Sequence, residues 1–200
     1  MFYDGTEEFE LTLTGASVWN DGPLYIGRDP WYDGPKNWGL DNLQIHNRPL
    51  TKEEITQIMD GGILYNENLV MGFDFDEGVT DGKVYDVSNF ENNGDVDGNP
   101  SMAYEEGYEP EGGAGGMGEL EPSRERGPLE PQYLLFDGTT DMITIPHSYA
   151  LELGKDDSDF SVSFDLLLTT AETGAWLSFL HKGNNDEERT PFILRYPNSN

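Results

Sequence analysis

The chain has 200 residues, and its 39 acidic against 11 basic side chains give a formal net charge of −28 at pH 7. Such a surface repels phosphate backbones and anionic lipid headgroups, which excludes nucleic acid and membrane surfaces as partners. Cysteine is absent, which removes disulfides, thiolate zinc sites and thiol nucleophiles, while 36% apolar and 12% aromatic residues suffice for a packed core. No apolar run is long enough to insert in a membrane, and the opening residues lack the basic-then-apolar profile of a signal peptide.

In chain order, short alternating runs rich in Leu, Ile, Val, Thr, Tyr and Phe predict strands over 9–13, 24–26, 40–46 and 69–75, then 133–136, 142–145, 160–168, 176–181 and 192–196. Turn dipeptides such as Asp21-Gly22, Asp81-Gly82 and Asp137-Gly138 punctuate them. This is the texture of an all-β chain: an antiparallel jelly-roll β-sandwich whose strands bury one face. One short amphipathic helix interrupts it over 50–61, where Thr51 and Glu54 form a capping box, Ile55, Ile58 and Met59 share a face, and Gly61 ends the helix. Between Pro100 and Gln132, seven glycines, five prolines and eight glutamates predict a long irregular loop, because so few apolar residues cannot offset the entropy of ordering.

The run Gly39-Leu-Asp-Asn-Leu-Gln-Ile-His-Asn-Arg-Pro-Leu-Thr-Lys-Glu-Glu-Ile resembles the closing strand and capped helix of laminin-G-like, pentraxin-like domains of the concanavalin A-like lectin and glucanase superfamily. Met1-Phe-Tyr-Asp-Gly-Thr-Glu and Pro23-Leu-Tyr-Ile-Gly look like late strands of that family. The segment Leu69-Val-Met-Gly-Phe-Asp-Phe-Asp-Glu-Gly is similar to its opening strand, and Asp86-Val-Ser-Asn-Phe-Glu-Asn-Asn-Gly to the loop after it. Leu135-Phe-Asp-Gly-Thr-Thr-Asp-Met-Ile-Thr-Ile-Pro and Phe160-Ser-Val-Ser-Phe complete the resemblance.

In the order of that family, residues 1–65 look like the C-terminal part of a sandwich and residues 66–200 like the N-terminal part of one, with the loop 100–132 inside the second. Three arrangements account for this order: a junction between tandem repeats, which is the preferred one, a circularly permuted sandwich, or a subunit completed by a neighbour. Incomplete sandwiches expose strand edges, so association with neighbouring domains, subunits or further copies is expected.

Hard oxygen ligands are abundant, which makes calcium the cofactor to consider. The resemblance implies ligands at Asp74, Asp76 and Glu77, at Asp137, Gly138 and Asp141, and at Asp41 and Asn42. Asp74 and Asp76 alternate with Phe73 and Phe75, which predicts both carboxylates on one face of a strand. Asp95-x-Asp97-Gly98-Asn99 hints at a further calcium loop but lacks the acidic terminus of an EF-hand. Trp31, Tyr32 and Trp38 lie among Asp, Gly and Pro turns, where exposed rings would stack on sugars; the alternative is that Trp31 and Trp38 plug the end of the sandwich. Paired carboxylates also suit a glycosidase, but the family's Glu-x-Asp-x-x-Glu pattern is absent, and His46, His147 and His181 have no nucleophile arrangement around them. The expected function is therefore a noncatalytic, lectin-like adhesion or glycan-recognition module with no catalytic residue. It would bind a glycan or surface polysaccharide within an extracellular, cell-surface or virion-surface assembly. The alternative is a structural component of a virion or filament.

Overall fold

The computed structural model describes residues 2–3, 6–7, 21–28, 37–104, 132–155, 158–168, 177–183 and 192–196. A small hairpin pairs β1 (Phe2–Tyr3) with β2 (Thr6–Glu7), in register Phe2 with Glu7. The remaining described strands form two antiparallel sheets. In the first, the order is β13 (Phe192–Tyr196), β12 (Leu177–Lys182), β3 (Leu24–Ile26), β10 (Met142–Ile145), β7 (Gly94–Asp97) and β6 (Lys83–Val84). In the second, it is β11 (Ser161–Leu168), β4 (Trp38–His46), β9 (Gln132–Phe136) and β8 (Ser101–Tyr104), with β5 (Leu69–Phe73) also paired to β4.

The expected all-β sandwich is thus present, and apolar side chains of both sheets meet in one core. Leu24 and Ile26 of β3, Ile143 and Ile145 of β10 and Leu180 of β12 pack with Trp38, Leu40, Leu43 and Ile45 of β4, Phe73 of β5 and Leu134 and Phe136 of β9. Gly94 allows β7 to lie close to β10, since a Cβ there would meet Ile143 Cγ2 at 2.3 Å.

Of the strands before residue 66, β3 and β4 pair with strands after it. β3 lies between β10 and β12, and β4 is bonded to β5, β9 and β11. These pairings place strands from both stretches in the same two sheets. The strand expected over 9–13 lies outside the described residues.

β4 carries a phase slip that matters for the site. Its core residues are Trp38, Leu40, Leu43 and Ile45, so the spacing of two is broken once, by one extra residue. The break falls at Asn42, whose φ is +49°, opposite an irregularity between Ser163 and Asp165 of β11. This is a β-bulge. Beyond it, Gln44 and His46 turn away from the core. Gln44 Oε1 accepts from Leu64 N–H at 2.9 Å and its Nε2 donates to Gly62 O at 3.2 Å, which ties β4 to the turn after the helix.

The helix α1 spans Lys52–Gly61, and the expected capping box is formed: Glu54 N–H donates to Thr51 Oγ1 at 3.2 Å and Thr51 N–H to Glu54 Oε2 at 2.9 Å. Arg48 grips the same carboxylate from both guanidinium ends, and this, together with the Thr51 N–H, holds the Glu54 carboxyl down at about 2. Two details differ from expectation. Gly62, not Gly61, is the C-cap and takes the positive φ, and Met59 is 52% exposed because Ile58 alone of the helix is buried. Ser101–Tyr104, expected within the long loop, is β8, paired in register with β9; residues 105–131 lie outside the described part.

Candidate functional site

The carboxylates expected to hold calcium fall into two separate sets. At the bulge, Asp41 is only 3% exposed and faces Asp165 across the β4–β11 pair. Burial raises its carboxyl to about 7; the Asn42 N–H bond at 2.8 Å opposes the shift, and Asp165, Asp76 and Asp74 add to it. The amide of Asn42 sits between the two acids, its Nδ2 donating to Asp41 Oδ2 at 3.1 Å and to Asp165 Oδ2 at 2.8 Å. The expected one-faced pair Asp74 and Asp76 is corrected by the backbone. β5 stops at Phe73, Phe75 takes φ +51° to bury its ring beside Phe73, and Asp76 N–H turns back to Asp74 Oδ1 at 3.4 Å. Both acids therefore lie beyond the strand, and Glu77 is exposed.

The second set closes the turn after β9. Asp137 accepts hydrogen bonds from the backbone N–H groups of Thr139, Thr140 and Asp141 and from both threonine hydroxyls, at 2.7 to 3.0 Å. Burial pushes its carboxyl up, but the Thr140 hydroxyl and these N–H groups outweigh that and hold it well below the usual carboxylate range. Asp141, 5% exposed, accepts from Asn99 N–H at 2.8 Å and Asp137 N–H at 2.9 Å, and so joins this turn to the end of β7. The hinted loop at Asp95 and Asp97 is β7 itself, and Asp95 pairs with Lys83.

Among the described residues no three His, Cys, Asp or Glu side chains come together as a metal shell. The Asp137 carboxylate is already engaged by five N–H and O–H donors. Because Asp137 gathers five donors, Asp137→Asn should cost about 1–3 kcal/mol at pH 7, with the difference fading in acid as the wild-type carboxyl gains its proton. Urea midpoints at pH 7 and in acid measure this, and equal midpoints at pH 7 would show that other contacts hold the turn.

The aromatic residues also separate. Trp38 is fully buried, stacked on Phe136 at 4.8 Å and edge-on to Phe179 at 4.8 Å, so the expectation that it stacks on a sugar is corrected: it plugs the core. Trp31 and Tyr32 lie outside the described residues. A cleft of about 260 Å³ beside Asp137 is lined by Asn37, Asn99, Ser101 and Thr140, but the ring at its wall, Phe136, is buried under Trp38.

Exposed rings occur elsewhere. A cleft of about 160 Å³ is lined by Phe90 and Tyr149, which are 47% and 87% exposed, and by Asn47, Glu152, Ser158 and Asp159. Val70, Leu153 and Phe160 supply its apolar side. Phe90 is held outward by the loop 86–93. The Asp86 carboxylate accepts from the N–H groups of Gly72, Ser88 and Asn92 and from the Ser88 hydroxyl, at 2.7 to 2.9 Å. Tyr149 opens a 3-10 turn, Tyr149–Leu151. The two walls are joined at their base, since Ser148 Oγ donates to Asn92 Oδ1 at 2.6 Å while Asn92 Nδ2 donates to Val70 O. The cleft is thus preformed by paired polar side chains.

Comparison with known proteins bears on the first part of the chain. Residues 1–56 match a laminin-G family model described as the concanavalin A-like lectin/glucanases superfamily. No curated protein and no solved structure matches the chain. The laminin-G-like stretch contains β3, β4 and the start of α1, and hence the Trp38 plug and the Asp41 bulge. The Phe90–Tyr149 cleft takes only Asn47 from it, and its other lining residues lie downstream. Sequence reasoning missed this cleft, although the loop from Asp86 to Gly94 was marked as a family segment.

Proposed function

We propose that this protein is a noncatalytic sandwich module that recognises a glycan, acting within a larger extracellular or surface assembly. One observation carries the reading: Tyr149, 87% exposed on a folded sandwich, stands with Phe90 over a cleft lined by amide, hydroxyl and carboxylate groups. A sugar ring presents an apolar C–H face and a rim of hydroxyls, and that pairing of rings with hydrogen-bonding groups suits both. The match of residues 1–56 to a laminin-G family model supports it. Hydrolysis is a poorer fit, because Asp41, the carboxylate poised near neutrality, is too buried to touch a substrate.

On a glycan array the wild-type chain should retain a defined subset of saccharides, and Tyr149→Ala should weaken that binding at least tenfold, by about 1.4 kcal/mol, without changing the melting temperature. An array on which nothing is retained would overturn the proposal. The structural reading, a packing component of a virion or filament, draws on Leu166 and Leu168, which are 37% and 44% exposed on β11 at the end of the described strand order of its sheet. An empty array together with concentration-dependent oligomers in sedimentation would favour it.

A further inference from the structure

The chemistry of the cleft narrows the ligand further. Among the described residues its lining contains no Lys, Arg or His. Glu152 is already engaged, bonded to Lys155 and 3.8 Å from His147 Nε2, whereas Asp159 lies exposed at the rim. The chain as a whole carries −28. Carboxylates beside two exposed rings attract a cation twice, by charge and by the negative faces of the rings, and they repel uronate, sialate and sulfate groups. The volume, about 160 Å³, corresponds to roughly five waters and so to one small ring, not to a long stretch of chain.

Resting on the glycan reading above, we infer that the Phe90–Tyr149 cleft takes a single hexosamine residue bearing a free amino group, with its ring against Tyr149 and its ammonium at Asp159.

The test compares two short probes that differ only in that group, a glucosamine trisaccharide and its fully N-acetylated counterpart. Both are titrated calorimetrically into the full chain at pH 6, where the free amine is protonated. The free-amine probe should bind about fivefold tighter at low salt, and the preference should shrink below about twofold in 0.5 M NaCl. Asp159→Asn should abolish the preference by weakening the free-amine probe more than the acetylated one, while Tyr149→Ala should weaken both probes. Equal binding of the two probes, or tighter binding of the acetylated one, would overturn the ionic assignment and leave a neutral-sugar lectin standing. A preference that persists in both variants would trace it to overall charge and also overturn the inference. No binding of either probe, with other saccharides retained on the array through Tyr149, would refute the ligand class alone. Silence on the array as well would remove the glycan reading with it.

Discussion

Asp41→Asn should make the protein more stable by about 2–4 kcal/mol at pH 8 and change it little near pH 4. The carboxyl of Asp41 sits at about 7 in the fold, raised by burial and by Asp165, Asp76 and Asp74 against the Asn42 N–H bond, whereas in the unfolded chain it returns to about 4. The folded state therefore holds a proton that the unfolded state has lost, and stability falls as pH rises from about 4 to about 7, then levels off. Asparagine keeps an acceptor for Asn42 N–H and leaves the Asn42 amide bonded to Asp165, so it removes the charge penalty at the cost of one hydrogen bond from Asn42 Nδ2. Lys182 adds the opposite limb. Its ammonium is fully buried on Gly22 O, and burial lowers it to about 8 while Asp21 and Glu152 resist. Because the unfolded lysine keeps its proton to higher pH, stability should climb again between about 8 and 10. Melting temperatures measured in chelator from pH 4 to 10 should pass through a minimum between pH 7 and 8. A curve for Asp41→Asn that runs parallel to wild type from pH 4 to 8 would show that Asp41 is ordinary.

Trp38→Ala should cost about 3–5 kcal/mol, the range for deleting a large aromatic side chain from a core. Trp38 is fully buried between Phe136 and Phe179, and its Nε1–H has no hydrogen-bond partner among the described residues. Trp38→Phe keeps the stack, removes the unsatisfied donor and should cost less than about 1.5 kcal/mol. Because Trp38 has no exposed face, glycan binding per folded molecule should be the same in Trp38→Phe as in wild type. Denaturant melts of both variants, with binding measured on Trp38→Phe, check this. A Trp38→Ala protein as stable as wild type would mean that the ring is not a core plug.

Sequence reasoning located this fold well where the signal was local. β3, β10 and β13 run over the expected residues because short alternating apolar runs bounded by turn residues have few other ways to satisfy their backbones. The capping box at Thr51 and Glu54 is likewise a matter of chemistry within one turn. Short or acidic strands such as β6, β7 and β8 were not legible, because a strand like Gly94–Asp97 has no apolar alternation of its own and is a strand only through pairing with β10. The bulge in β4 was visible in principle, as the slip from 38 and 40 to 43 and 45, but reads as a strand boundary unless β11 is already in place beside it.

The amino-acid order alone determined the all-β class, the capped helix and the laminin-G-like character of the first segment, all of which rest on composition, period or turn chemistry between near neighbours. Only the tertiary structure decided that Trp38 is buried while Tyr149 is exposed, that Asp74 and Asp76 leave the strand, and that Phe90 and Tyr149 share a cleft. Those outcomes depend on which strands pair across more than half the chain and which side of a sheet is then covered. A ring or a carboxylate carries no local mark of the neighbour it will meet.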